Sequence, residues 1–130
     1  VSEANSFGGT YLPTVDDAGR YFKAKYIGAT KEIVYLLLLD NKYKIIDCIK
    51  IHEGSVNSSA ITMRKLIEVA IEGKASAAVL AHNHPGGLTI PSSDDIFTTR
   101  ETAKAFNLIG VNLLAHILVA GDKYVDILNY

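Results

Sequence analysis

Hydrophobic and polar positions recur along this chain with two different periods, and the switches between them divide it into elements. After Thr14, with Asp17 as a capping-box partner, Val15, Ala18, Phe22 and Tyr26 recur at helical spacing. They predict a helix over roughly residues 14–25, closed by Gly28. "EIVYLLLLD" (32–40) is apolar at both alternating sets of positions, the pattern of a strand covered on both faces. "DNK" (40–42) is a hairpin turn into a second strand, "YKIIDCIKI" (43–51). Ser58 or Ser59 is placed to cap a second helix with Met63, Leu66, Ile67, Ala70 and Ile71 as its buried stripe and Gly73 as its C-terminal stop.

A short strand of small and branched residues, "ASAAVLA" (75–81), then delivers the chain to His82. Pro91, Ser92 and Ser93 open a third helix through about Phe106, with Ile96, Ala103 and Phe106 facing inward. "VNLLAHILVA" (111–120), the turn "GD" and "KYVDIL" (123–128) make a closing hairpin. Strands interleaved with three helices, with hairpins at both ends, predict a mixed α+β fold: a mixed β-sheet flanked by helices.

Composition narrows the function classes. At 130 residues, 48% hydrophobic and 21% charged, the chain reads as one globular domain over 14–130. The polar, glycine-containing start predicts a poorly ordered or expression-derived tail over residues 1–13, and the lack of an initiator methionine suggests a fragment of something longer. The net charge of −1, with no like-charge run beyond two residues, carries no footprint for a nucleic-acid backbone. A single cysteine, Cys48, excludes an internal disulfide and fits a cytoplasmic setting. The longest apolar run, 33–39, is too short to span a bilayer.

The chemistry concentrates in "LAHNHPGGLTIPSSDD" (80–95). Side chains at i and i+2 of a strand share a face, so His82 and His84 project together off the strand end. Pro85, Gly86 and Gly87 permit a sharp reversal, and the third helix begins with Asp94 and Asp95 in its first turn, where the helix dipole favours carboxylates. Two imidazoles and one carboxylate converging there form a three-ligand site, the kind in which zinc keeps a fourth position for water. A plainer account exists for each piece: Ser92 and Asp95 have the spacing of a capping pair, and each histidine alone suits a hydrogen-bonded role. The conjunction is what the plain account leaves unexplained.

His82-x-His84, seven residues, Ser92, two residues, Asp95 reproduces the JAMM signature, HxH-x7-SxxD, of the MPN-domain metallopeptidases and deubiquitinases. From about Thr14 onward the chain resembles the bacterial RadC family, whose pattern runs HNHPSG, PSxxD, a threonine-containing helix and an Asp-His strand. The resemblance implies an MPN/JAB, cytidine-deaminase-like architecture, zinc held by His82, His84 and Asp95, and Ser92 as donor to a polarised carbonyl oxygen. It implies a catalytic glutamate from an early strand; Glu32 matches its place, with Glu53 as a rival at the far end of the second strand. Asp94 has the wrong spacing for a ligand, and His116 is expected to be a buried, hydrogen-bonded strand residue.

Two positions depart from the family pattern. Gly86 replaces a serine, and Ala115 replaces the aspartate before His116, a loss expected to remove a supporting carboxylate. Family members also carry an N-terminal helix-hairpin-helix region, which nothing in this chain resembles.

The HxHxDH, H-x-E with PCxxC, and HExxH signatures of other zinc enzymes are absent. The expected function is zinc-dependent hydrolysis of an amide bond in a protein or peptide substrate, peptide or isopeptide. The alternatives are a non-catalytic MPN-fold binding module and a DNA-repair accessory, the latter suggested by the family's name alone. Either hairpin could offer a strand edge to a second copy, making a homo-oligomer.

Overall fold

The run Ile33–Leu39 forms strand β1, and its side chains alternate between two apolar layers, as an unbroken hydrophobic strand requires. The computed structural model describes residues 11–54 and 62–130. Among them β1 is joined by β2 (Ile45–Glu53), β3 (Ala77–Asn83), β4 (Asn112–Ala120) and β5 (Lys123–Asp126) in a five-stranded sheet of order β2-β1-β3-β4-β5. β1 runs antiparallel to both neighbours, β3 and β4 are parallel, and β5 returns antiparallel along β4.

Helix α1 (Val15–Lys25) covers one face of the sheet, packing Ala18, Tyr21, Phe22 and Tyr26 against Leu37, Leu39, Val79 and Ile117. Helices α2 (Met63–Glu72) and α3 (Ser93–Leu108) cover the other, where Leu66, Ala70 and Phe106 meet Val34, Leu36, Leu38 and Leu80. The mixed sheet flanked by helices is thus the architecture expected from the pattern. Helix α3 supplies the long crossover that a parallel pair needs, and so links the end of β3 to the start of β4.

Several boundaries moved, each for a local reason. β2 starts at Ile45 because Tyr43 takes a left-handed φ of 64°, while the Asp40 carboxylate accepts the Lys42 and Lys44 N–H groups at 2.8 and 3.0 Å. β3 runs to Asn83 rather than stopping at Ala81, because its pairing with β4 continues through His82↔Leu118 and Asn83↔Val119. Ser58 and Ser59 lie outside the described residues; α2 is capped by Thr62, whose hydroxyl accepts the Lys65 N–H at 3.1 Å. Ile71 is 56% exposed instead of buried, since Leu66 and Ala70 carry the inward face.

Gly73 does close α2, but not by left-handed geometry. Its φ is −79°, and the left-handed residue is Lys74. A Cβ on Gly73 would sit 2.3 Å from Leu38 Cδ1, so glycine is there to let the helix end touch β1. On α3 only Phe106 of the three expected residues is fully buried, and Thr99 and Thr102 are buried beside it. Most of the tail expected over 1–13 lies outside the described residues; Tyr11 bridges to Lys44, and Leu12 is buried with its N–H on the Tyr43 carbonyl at 2.8 Å.

One irregularity matters for function. Ala78 pairs with Leu113 but Val79 pairs with Ala115, so β4 carries an extra residue at Leu114. The bulge reverses the facing of everything after it. Leu113 packs in the α2/α3 layer, Ala115 and Ile117 in the α1 layer, and His116 is turned toward α3.

Candidate metal centre

His82 sits in β3 on the face shared by Ala78 and Leu80, beneath α3, and is 6% exposed. His84 follows one residue past the strand, held by its N–H on the Val119 carbonyl at 2.9 Å. The two rings lie 5.1 Å apart between centroids, as same-face neighbours on an extended chain should. Gly86 then adopts a φ of +70°, which glycine takes without strain, and the chain reverses toward α3.

Ser92 caps α3 in a full capping box: its hydroxyl accepts the Asp95 N–H at 3.0 Å, and Asp95 Oδ2 accepts the Ser92 N–H at 2.9 Å. The same Oδ2 lies 4.0 Å from His82 Nε2. Capping and convergence on the histidines therefore coexist. One donor atom from each of His82, His84 and Asp95 falls within 4.8 Å of the others. Zinc bonds of about 2.0–2.2 Å place tetrahedral ligand atoms roughly 3.3–3.6 Å apart, so closing on an ion needs only small side-chain movement.

Protonation suits the same use. The Leu88 carbonyl, 3.1 Å from His84 Nδ1, can only accept, so that nitrogen carries the proton and Nε2 keeps its lone pair. Burial pushes His82 down to about 4; Asp95 pulls the other way and His84 reinforces the fall. Burial, with His82 beside it, also depresses His116 well below the ordinary imidazole range. Neutral imidazole is the form that binds a metal. The imidazoles of His82 and His84 and the Asp95 carboxylate, brought together by a strand end and a helix start, are a donor set that fits zinc.

A cavity of about 710 Å³ opens on this group, and Glu32, Ser92 and Asp94 line it together with the three converging residues. Glu32 directly precedes β1; because β1 is antiparallel to β3, its start lies beside the end of β3. Asn83, between the two histidines and buried, clamps that segment. Its side-chain oxygen accepts the Ile33 N–H at 2.7 Å, and its amide donates to the Lys31 carbonyl at 3.1 Å. Glu53 is not part of the group: it is exposed and paired with Lys50 at 2.5 Å, a contact that lowers its carboxyl. His116 is buried and hydrogen-bonded, as expected, and Ala115 faces the α1 layer, away from the histidines.

Comparison with known proteins agrees with this geometry. Residues 12–128 match the model of the RadC-like JAB domain. The chain belongs to the RadC-like JAB domain family. It is 34% identical over 119 residues to a UPF0758 protein of Alcanivorax borkumensis, covering 92% of this chain and 53% of that protein. To a UPF0758 protein of Staphylococcus carnosus it is 32% identical over 125 residues, covering 89% and 55%. A third, from Stenotrophomonas maltophilia, is 36% identical over 108 residues, 83% of this chain and 46% of the relative. The chain thus spans about half the length of the curated relatives it matches.

In this RadC-like JAB domain, some supporting residues escape a pattern reading. Thr99 counts as polar and Asn83 as a loop residue, yet both are buried and bonded beside the site. The one available signal was a threonine on the face of α3 that Phe106 shares, seven residues on, where an apolar side chain would be expected.

Proposed function

We propose that this domain is a zinc-dependent hydrolase of amide bonds, acting on a peptide or isopeptide. The observation that carries the reading is the convergence of His82, His84 and Asp95 donor atoms within 4.8 Å in a cavity also lined by Glu32 and Ser92. A zinc ion held by those three residues supplies a Lewis acid that polarises a carbonyl and acidifies a water. The chain's own groups do the rest. Glu32 takes the proton from the attacking water and returns it to the leaving amine nitrogen. Ser92 Oγ, already accepting from Asp95 N–H, keeps its own proton to donate to the carbonyl oxygen as negative charge builds there. Val34, Leu66 and Leu80 form an apolar wall that limits bulk water near the reacting bond.

A cytoplasmic setting fits the chain's single cysteine, Cys48, which forms no disulfide. Among the described residues no helix is long and apolar enough to cross a membrane. β2 and β5 are the sheet's edges, where a second copy would pair.

Zinc content after chelator-free purification and cleavage of a peptide library test the proposal together. Wild type is expected to hold one zinc per chain and to cleave; His82→Ala with His84→Ala should lose both. Glu32→Gln should keep its zinc while turnover falls about 10²–10⁴-fold. Cleavage retained by the double histidine variant would overturn the reading.

A further inference from the structure

We propose that Thr99 and His116 are positioning residues that lock His82 in its Nδ1–H tautomer through a directional hydrogen-bond chain, leaving the Nε2 lone pair for the metal. The purpose assigned to the chain rests on the zinc reading above; its direction rests on hydrogen-bond geometry between neutral rings, the form that burial of His82 and His116 favours.

The direction is set at the far end. Thr99 Oγ1 lies 2.6 Å from the backbone oxygen of Asp95 and 2.6 Å from His116 Nδ1. A carbonyl oxygen never donates, and two oxygens at that separation repel unless a proton lies between them. The one hydroxyl proton of Thr99 is therefore committed to Asp95, and Thr99 accepts from His116 Nδ1–H. A neutral imidazole has one N–H, so His116 Nε2 is an acceptor. His82 Nδ1, 2.8 Å away, must then supply the proton between the rings. His82 in turn has spent its single N–H, and its Nε2, the atom that faces Asp95, is bare. The reverse polarity would turn Thr99's proton toward His116 and leave the Thr99–Asp95 oxygen pair in unbonded contact.

The fold holds each link. Thr99 lies one helical turn past Asp95 on α3, so one helix carries both a ligand and the end of the chain that orients another ligand. His116 reaches the site face only through the bulge at Leu114. Its backbone is pinned by Asp126 Oδ1 on the His116 N–H at 3.0 Å, and by its carbonyl accepting the Ile127 N–H at 2.7 Å. His84 needs no such relay, because the Leu88 carbonyl sets its tautomer directly. Side-chain partners that fix the orientation of ligating histidines are typically worth about 10–100-fold in metal affinity.

The test uses the whole chain, zinc-free, with ¹⁵N-labelled histidine. Long-range ¹H–¹⁵N correlation reads each imidazole tautomer, and competition with a chromophoric chelator reads the zinc affinity. Wild-type His82 and His116 should both appear as Nδ1–H. Thr99→Val should move His82 toward Nε2–H and weaken zinc about 10–100-fold, and Thr99→Ser should restore both readings. Wild-type His82 found as Nε2–H would overturn the relay, whatever the variants do, and so would Thr99→Val with unchanged tautomer and affinity. A wild type that shows Nδ1–H at His82 yet takes up no zinc would sink the hydrolase reading and leave the relay standing.

Discussion

Asn83 separates His82 from His84 by one position, points away from their shared face, and spends both ends of its amide on the backbone flanking Glu32. Replacing it with alanine leaves the Ile33 N–H and the Lys31 carbonyl without those bonds, at a cost of about 1–3 kcal/mol. Because the clamp holds the segment that carries Glu32 rather than a ligand, Asn83→Ala should reduce kcat far more than zinc affinity. Equal loss of both would argue against it. The buried histidines make a second prediction at this scale. Burial depresses His82 and His116, so below the ordinary value of 6.5 the unfolded chain binds more protons than the folded one. Stability of the zinc-free protein is therefore full above that value and is lost as pH falls toward the depressed values. Urea midpoints at about pH 7.5 and about pH 5 should show the decline; a flat profile would contradict it.

Among the elements, α2 shows how a boundary can be legible while its cause is not. Glycine after an amphipathic stripe reads as a C-terminal cap, and Gly73 does end the helix. Its backbone, however, is ordinary right-handed, and the missing Cβ is what lets the helix end lie on Leu38, which is buried. Gly73→Ala should destabilise the fold by about 1–3 kcal/mol through overpacking, although alanine elsewhere in a helix is the better residue. At the other end of α2, Thr62→Ala removes the acceptor for the Lys65 N–H and should cost about 1 kcal/mol in chemical denaturation. Strand β4 carries a similar lesson. Strict alternation from Leu113 would send His116 to the α1 layer, and the extra residue at Leu114 reverses it.

On the scale of the molecule, the site gathers the end of β3, the start of α3 and the residue before β1 at one end of the sheet. An ion shared by His82, His84 and Asp95 would cross-link β3 to α3 and favour the folded state by mass action. At free zinc a hundredfold above Kd the gain is about 2.7 kcal/mol. Zinc should raise the thermal midpoint, a chelator should reverse the rise, and His84→Ala should show no zinc-dependent shift. A midpoint indifferent to zinc in the wild type would mean that no site closes.

By itself the sequence determined what short-range physics controls: the helices from their 3.6-residue periodicity, the doubly buried β1 from its apolar run, and the His-x-His and Ser-x-x-Asp spacings within one strand, turn and helix. All of those residues are neighbours along the chain, so local geometry suffices to bring them together. Tertiary structure alone decided what crosses the sheet. Antiparallel pairing of β1 with β3 set Glu32 beside the histidines, while Glu53, opposite Ile33 on the edge strand β2, is paired with Lys50 outside the cavity lining. A bulge whose extra residue leaves no mark on the hydrophobic pattern aimed His116 at His82. Burial turned Thr99 and Asn83 from polar residues on a helix and a loop into fixed hydrogen-bond partners, because which partner a buried polar group meets is set by packing between elements, not by spacing within one.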